Sequence, residues 1–193
     1  MPFLAEPKPA AARPIVDDVC LMADDPMTFA LDRPLDIPCF MELNVELLPW
    51  QQEVYNDDKR FKVVAAGRRC GKSRLAAWKL IIKALETPKV DVFYVAPTQG
   101  QARDIMWSVL EELAFPVTET KHVNNMQFKL INGSKISLKG ADRPDTMRGV
   151  SLEYLVMDEY ADMKPQVWEE VLRPALADRQ GGALFIGTPK GRN

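Results

Sequence analysis

The stretch VVAAGRRCGKSRLA, residues 63–76, constrains the fold of this chain more than any other. The apolar run FKVVAAG that leads into it predicts a short buried strand. The residues that follow, KSRLAAWKLIIKALE, repeat apolar side chains at intervals of three and four, which predicts an amphipathic helix. A strand, a tight loop and a helix that opens with Gly-Lys-Ser form the context in which a phosphate-binding loop occurs.

The loop departs from the usual spacing G-x-x-x-x-G-K-[ST], because Ala66 occupies the first glycine position. That position only has to turn the chain, and a small residue can do so. The other requirements are present: Gly71 permits close approach of the backbone, Lys72 supplies a charge to the β- and γ-phosphates, and the Ser73 hydroxyl can bind Mg²⁺. We predict that a nucleotide is bound by the whole loop: Ala66, Gly67, Arg68, Arg69, Cys70, Gly71, Lys72, Ser73 and Arg74.

The remaining chain alternates between predicted strands and helices. Buried strands are predicted in VDVFYVAP, LEYLVMDE and GGALFIGTP, and a hairpin around Asn132-Gly133 in MQFKLINGSKISLKG. Helices are predicted in NVELLPWQQEVYND, in TQGQARDIMWSVLEELAF, and in PQVWEEVLRPAL, where Pro165 starts the helix and Pro174 interrupts it. This alternation predicts an α/β P-loop NTPase fold of the RecA type (ASCE), with a mainly parallel sheet and helices on both faces.

Composition divides the chain of 193 residues into an arm, residues 1–40, and a body, residues 41–193. The arm is rich in Pro, Asp and Ala, so we expect it to be extended or partly disordered. Residues 1–60 carry 12 acidic and 5 basic side chains, a net charge of −7, whereas residues 61–193 carry 15 and 20, a net charge of +5. A basic body permits contact with nucleic acid, but a solvated surface of mixed sign explains the same numbers.

Membrane, secreted and zinc-binding classes are not favoured. No apolar run approaches the length of a membrane span, and prolines interrupt the N-terminus where a signal peptide needs a continuous apolar core. The three widely spaced cysteines favour a reducing, cytoplasmic setting without structural disulfides. The single histidine, His122, has no pair of cysteines nearby, which argues against a zinc site.

Further candidate site residues follow other predicted elements. Asp158 and Glu159 end a buried strand, where Asp158 can hold Mg²⁺ and Glu159 can orient an attacking water. Gln51 lies shortly before the loop and can recognise adenine, because its amide both donates and accepts, although an exposed helix face is an equal explanation. Thr188 follows the last strand and can sense the γ-phosphate, although Gly-Thr-Pro is also ordinary turn chemistry.

The arginines have separate explanations. Arg68 and Arg69 lie within the loop, where a guanidinium can bind phosphate oxygens bidentately. Arg148 precedes the Asp158 strand in DTMRGV and can act on the nucleotide of a neighbouring subunit, although a surface salt bridge is the simpler explanation.

In order along the chain, the motifs LPWQ, GRRCGKS, VAPT, MRG, LVMDE and GTPKG resemble the ATPase domain of tailed-phage large terminase subunits, which are DNA-packaging motors. The resemblance covers about residues 41–193. It implies that Arg68 contacts the nucleotide, that Gln51 reads adenine, and that Asp158 and Glu159 are the metal-binding and catalytic acids. It also implies that residues 187–189 form a coupling motif and that Arg148 is a catalytic arginine acting in trans.

The same resemblance implies ATP and Mg²⁺ as cofactors and double-stranded DNA as the translocated substrate. It implies a ring of subunits on the portal protein of a procapsid, a small terminase subunit as partner, and no membrane. Action would then occur in the host cytoplasm, transiently on the procapsid and not in the mature virion. Because the chain stops at Asn193, directly after a strand and a turn, we interpret this end as a boundary within a longer protein and expect the nuclease domain of such subunits beyond it.

Two alternatives share these motifs. A superfamily 2-type helicase or translocase has the glutamine, the loop and the Asp-Glu pair, but needs a second RecA-type domain. The second alternative is a nucleotide-dependent binding module that does not hydrolyse ATP. The presence of Lys72, Asp158 and Glu159 argues against it, because hydrolysis needs all three and binding alone does not.

Overall fold

A seven-stranded sheet forms the centre of the part of the chain that the structure describes. The computed structural model describes residue 43 and residues 45–189, so the arm predicted for residues 1–40 lies outside the described residues. The strand order is β1–β7–β6–β2–β5–β4–β3, and every pair from β1 to β5 is parallel. The strands are β1 Phe61–Ala65, β2 Asp91–Ala96, β3 Thr118–His122, β4 Gln127–Leu130, β5 Lys135–Gly140, β6 Leu152–Asp158 and β7 Gly182–Gly187.

The helices cover both faces of this sheet. They are α1 Pro49–Asn56, α2 Lys72–Glu86, α3 Gln99–Leu113, a π-helical segment Val167–Leu172 and a short α-helix, α4, Arg173–Ala175. Thr98 caps α3 by accepting a hydrogen bond from the Gln101 amide. Helix α2 begins and ends where the sequence predicts, and it is buried nearly all round because it lies between the sheet, α1 and α3.

Side chains of the central strands point alternately to the two faces of the sheet, where they belong to two separate hydrophobic cores. On one face, Val92, Tyr94 and Val156 pack beneath α2 and α3. On the other face, Phe93 and Leu155 pack against Val167, Val171 and Leu172 of the π-helical segment. The mainly parallel α/β sheet with helices on both faces is therefore confirmed, and so are β2 and β6 as strands buried on both sides.

The hairpin predicted around Asn132-Gly133 joins β4 and β5, and Gly133 adopts a φ of 82° there. A third antiparallel strand, β3, extends this hairpin at the sheet edge and was not predicted. Its sequence TETKH carries no apolar side chain and is mostly exposed, so no hydrophobic pattern marks it.

The prediction that FKVVAAG is a buried strand is wrong. Strand β1 is an edge strand of the described sheet and pairs with β7. Val64 faces the core beneath α2, whereas Val63 is 79% exposed on the opposite face. A row of apolar residues is compatible with an edge position because β-branched side chains favour strands even where one face is open.

Pro174 does not interrupt the last helical segment, contrary to the prediction. The chain turns helically from Pro165 and widens into π-helical turns over Val167–Leu172 before Pro174 enters α4. A proline has no amide proton for the residue four positions earlier, and a wider turn is one way for the backbone to accommodate that loss.

Within residue 43 and residues 45–189, no helix is long and apolar enough to cross a membrane.

The two faces of β1 predict different responses to one substitution. We expect Val64→Thr to lower the free energy of unfolding by about 1–3 kcal/mol, because it places a hydroxyl in the core. The matched variant Val63→Thr keeps the β-branched shape at an exposed position and should change that energy by less than about 0.5 kcal/mol. Urea unfolding of both variants measures the difference, and equal losses would contradict the exposure of Val63.

Candidate functional site

The predicted loop connects the carboxyl end of β1 to the start of α2. Ala65 pairs with Gly187 of β7, and Asp158 of β6 pairs with Ile186, so the ends of three adjacent parallel strands meet beside the loop. This is the edge at which ligands bind in doubly wound sheets. Residues near positions 65, 158 and 188 are far apart in the sequence, but the order of the strands brings them close together in space.

The Lys72 side chain links the loop to β7. Its ammonium group donates to the carbonyl oxygens of Ala66 and Gly67, each at 2.7 Å, and to Thr188 Oγ1 at 3.3 Å. The side chain is buried, with 9% of the residue exposed. The three ammonium protons of Lys72 are thus donated to three oxygen atoms, and these hydrogen bonds hold the positive charge inside the loop rather than in solvent.

Gln51 braces the start of α2. Leu48 N donates to Gln51 Oε1 at 2.8 Å, and Gln51 Nε2 donates to the carbonyl oxygen of Gly71 at 2.9 Å. Gly71 has a φ of 89°, and a Cβ there would lie 2.6 Å from Gln51 Nε2. The backbone conformation therefore favours glycine, and any larger residue would also force the Gln51 amide to shift.

The two loop arginines point outward. Arg68 and Arg69 are exposed, and Arg69 has a φ of 61°. Cys70 Sγ donates to the carbonyl oxygen of Gly67 at 2.8 Å, within the loop itself. The Arg74 guanidinium lies 3.3 Å from Glu112 Oε1 on α3, in an ion pair in which both side chains are exposed.

Asp158 is held from the interior. Its Oδ2 accepts a hydrogen bond from the Tyr94 hydroxyl on β2, and its Oδ1 accepts from the Glu159 amide at 2.9 Å. Burial raises the pKa of the Asp158 carboxyl, and the hydrogen bonds from Tyr94 and the Glu159 amide oppose that effect, with a smaller contribution from Lys72. Burial and the Asp158 carboxylate also raise the pKa of the Tyr94 hydroxyl, so Tyr94 remains a donor.

Glu159 and Thr188 are joined by two hydrogen bonds. Thr188 Oγ1 donates to Glu159 Oε1 at 2.9 Å, and Thr188 N donates to Glu159 Oε2 at 3.2 Å. Glu159 has a φ of 49° and a ψ of 46°, a left-handed conformation that glycine adopts more easily. This backbone turn aims the carboxylate back toward Thr188 and the loop.

The residues predicted to hold Mg²⁺ fit that ion. Asp158 provides a buried carboxylate, and Ser73 provides a half-buried hydroxyl in the first turn of α2. Within the part of the chain that the structure describes, no three His, Cys, Asp or Glu residues cluster as a metal site. Mg²⁺ commonly uses one or two protein oxygens and completes its shell with phosphates and water, so this small donor set suits it.

Arg148 lies apart from this network. It follows a short 3₁₀ turn, Pro144–Met147, and its Nε lies 3.0 Å from Asp145 Oδ1 in an exposed ion pair. The simpler explanation given for Arg148, a surface salt bridge, is therefore present. Its side chain also lines a cavity of about 420 Å³ with residues of the π-helical segment.

Two contacts of the site were missed by sequence reasoning. The hydroxyl of Tyr94 was not identified, because Tyr94 lies in an apolar strand and its bond to Asp158 spans 64 residues. The link from Gln51 to Gly71 was also not foreseen, and the alternative of an exposed helix face is wrong, because Gln51 is only 2% exposed. A lone polar atom in a run of otherwise apolar strand residues was the available signal for Tyr94.

Comparison with known proteins identifies the family. The family described as terminase large subunit, T4likevirus-type, N-terminal, matches residues 63–192. The large terminase subunit of Thermus phage G20c is 32% identical over 163 residues, which are 74% of this chain and 34% of that protein. The subunit of Escherichia phage T5 is 35% identical over 139 residues, which are 69% of this chain and 31% of that protein. The chain thus spans about a third of the length of the curated relatives it matches.

A solved structure extends the comparison to the fold. The large terminase ATPase domain of Thermus phage P74-26 has a TM-score of 0.67 to this chain at 30% identity, over 77% of this chain and 67% of that one. The P-loop NTPase fold and the resemblance drawn from the motifs are confirmed, and the helicase alternative is not favoured. The chain belongs to the terminase large subunit family, whose N-terminal region it matches.

Proposed function

We propose that this chain is the ATP-hydrolysing motor domain of a viral terminase large subunit, which drives double-stranded DNA into a procapsid. The observation that carries the proposal is the bonded series Lys72–Thr188–Glu159, which joins the phosphate loop to the acid pair that ends β6. Membership of the terminase family and the similarity to a terminase ATPase domain support it.

The loop is suited to bind the phosphates of ATP. The start of α2 presents backbone amides and the positive end of its dipole. Lys72 already lies among oxygen atoms, and phosphate oxygens carry more negative charge than the carbonyls of Ala66 and Gly67, so they compete well for its protons. Arg68 is exposed at the mouth of the loop, and we assign its guanidinium to the phosphates as well.

Glu159 is proposed to position the attacking water. Its carboxylate has about four acceptor positions, and Thr188 uses two of them, so acceptor capacity remains for a water molecule. The water oxygen bonds to the γ-phosphorus while the bond to the β–γ bridging oxygen breaks, and the water proton leaves toward the carboxylate or the phosphate. When bound at Asp158 and Ser73, Mg²⁺ neutralises charge on the β- and γ-phosphates.

Thr188 is proposed to couple this chemistry to movement. It contacts both Lys72, which would bind the γ-phosphate, and Glu159, which would hold the water. Loss of the γ-phosphate changes the partners of Lys72, and Thr188 is the side chain placed to transmit that change to the end of β7. We keep Gln51 as the adenine-reading residue. Because Gln51 is only 2% exposed, adenine binding would require its amide to leave Gly71, which would couple adenine binding to the start of α2.

Arg148 is proposed to act in trans on a neighbouring subunit in a ring docked on the portal protein. Its ion pair with Asp145 is exposed, with 51% and 88% of the two side chains accessible, and pairs of this kind contribute little to stability. Arg148 can therefore exchange Asp145 for a phosphate at small cost. Arg69 and Arg74 receive no assigned side-chain role in this scheme.

The remaining partners follow from the family. We propose a small terminase subunit as partner and the host cytoplasm as the place of action, transiently on the procapsid and not in the mature virion. The net charge of +5 over residues 61–193 suits contact with a DNA backbone. Nuclease activity is assigned to a further domain of a longer terminase subunit.

Glu159→Ala should retain ATP binding and lower phosphate release by at least about 10²-fold, because it removes the group that positions the water. Lys72→Ala should instead weaken ATP binding. Single-turnover phosphate release with excess protein detects even slow hydrolysis, and a fluorescent ATP analogue measures binding. Glu169→Ala, at an exposed glutamate of the π-helical segment, is the control. Turnover in Glu159→Ala equal to that of the control would remove Glu159 from this role.

Arg148→Ala should lower ATP turnover by about 10³-fold in the full-length protein assembled on portal-bearing procapsids. In isolated subunits it should change turnover little, because no neighbouring nucleotide is in reach. Arg143→Ala, an exposed arginine of the same loop, is the matched control. An equal loss in assembled and isolated protein would contradict action in trans.

A further inference from the structure

A buried tyrosine approaches the proposed metal-binding acid from the neighbouring strand. Strands β2 and β6 are parallel neighbours, and Tyr94 is opposite Val156. Successive side chains of a strand alternate between faces, so Asp158, two residues after Val156, projects on the same face as Tyr94. The tyrosine ring runs along this face toward the carboxyl end of the sheet, and its hydroxyl donates to Asp158 Oδ2.

Packing accounts for the ring of Tyr94 but not for its hydroxyl. The residue is fully buried in the core beneath α2, where phenylalanine would fill nearly the same volume. A hydroxyl in such a place costs free energy unless it is hydrogen-bonded, and the partner it finds is the Asp158 carboxylate. Asp158 is itself only 5% exposed, so its charge needs donors within the protein.

The two hydrogen bonds to Asp158 have complementary effects. Tyr94 binds Oδ2 and the Glu159 amide binds Oδ1, so rotation of the carboxylate about its side-chain bond is blocked at both oxygens. Each oxygen keeps a further lone pair for another partner. Outer partners that fix the orientation of a metal-binding side chain commonly change metal affinity by about 10- to 100-fold when they are removed.

We propose that Tyr94 is a positioning residue for Asp158, whose carboxylate it holds in the orientation needed to bind Mg²⁺ with the nucleotide. This inference rests on the proposed function, since it requires Asp158 to serve the metal. Tyr94 touches neither nucleotide nor metal in this scheme, and it acts through Asp158 alone.

Tyr94→Phe tests the proposal, because it removes the hydroxyl and keeps the ring. Tyr154→Phe is the matched control, since Tyr154 lies on β6, is 5% exposed, belongs to the same core and lines a cavity with residues at the amino end of the sheet. Binding of a fluorescent ATP analogue is measured as Mg²⁺ is added, and again in EDTA. Binding of Mn²⁺ with ATP is followed by electron paramagnetic resonance, and thermal unfolding is recorded for each variant.

In Tyr94→Phe, we expect the Mg²⁺ concentration for half-maximal nucleotide binding to rise about tenfold, with weaker Mn²⁺ binding and unchanged binding in EDTA. Tyr154→Phe should match the wild type in all three. Equal Mg²⁺ dependence in Tyr94→Phe and wild type would overturn the proposal, and so would a loss of binding in EDTA that parallels a loss of thermal stability. A wild-type protein that binds no nucleotide would overturn the proposed function and the role of Tyr94 with it.

Discussion

The ammonium group of Lys72 is the contact on which the rest of the site depends. It lies where the loop after β1, the first turn of α2 and the end of β7 meet, and it is bonded to oxygen atoms from the loop and from Thr188. A positive charge in a half-enclosed loop is tolerable only when such oxygens surround it. The same arrangement makes the loop responsive to phosphate, because a better acceptor can replace a weaker one without moving the backbone far.

Sheet order explains why Lys72 is linked to the acid pair through Thr188. Because β7 lies between β1 and β6, Thr188, the residue that follows β7, can contact both Lys72 and Glu159. A chain with the same motifs but with β6 beside β1 would place Thr188 elsewhere. The motif residues therefore acquire their relationship from topology, and each of them alone would be an ordinary turn or strand end.

Sequence patterns were informative where burial follows from local periodicity. Helix α2, the strands β2 and β6, and the hairpin at Gly133 all lie where the sequence predicts them. The failures share a physical cause: whether an apolar strand such as β1 is covered depends on its neighbours in the sheet, and the polar strand β3 is defined by pairing alone. At the site, the loop and acids were predicted, but the bonds from Tyr94 and Gln51 depend on tertiary placement.

At position 159, the left-handed conformation costs a non-glycine residue about 1–2 kcal/mol, and the two hydrogen bonds that Thr188 donates to the Glu159 carboxylate offset that cost. Glycine would relieve the backbone conformation, but it would lose both hydrogen bonds and add conformational freedom to the unfolded chain, so the carboxylate serves stability as well as the proposed chemistry. A library screened for heat resistance alone should therefore gain little from glycine at position 159, and the glycine variants in it would lose the group proposed to position the water.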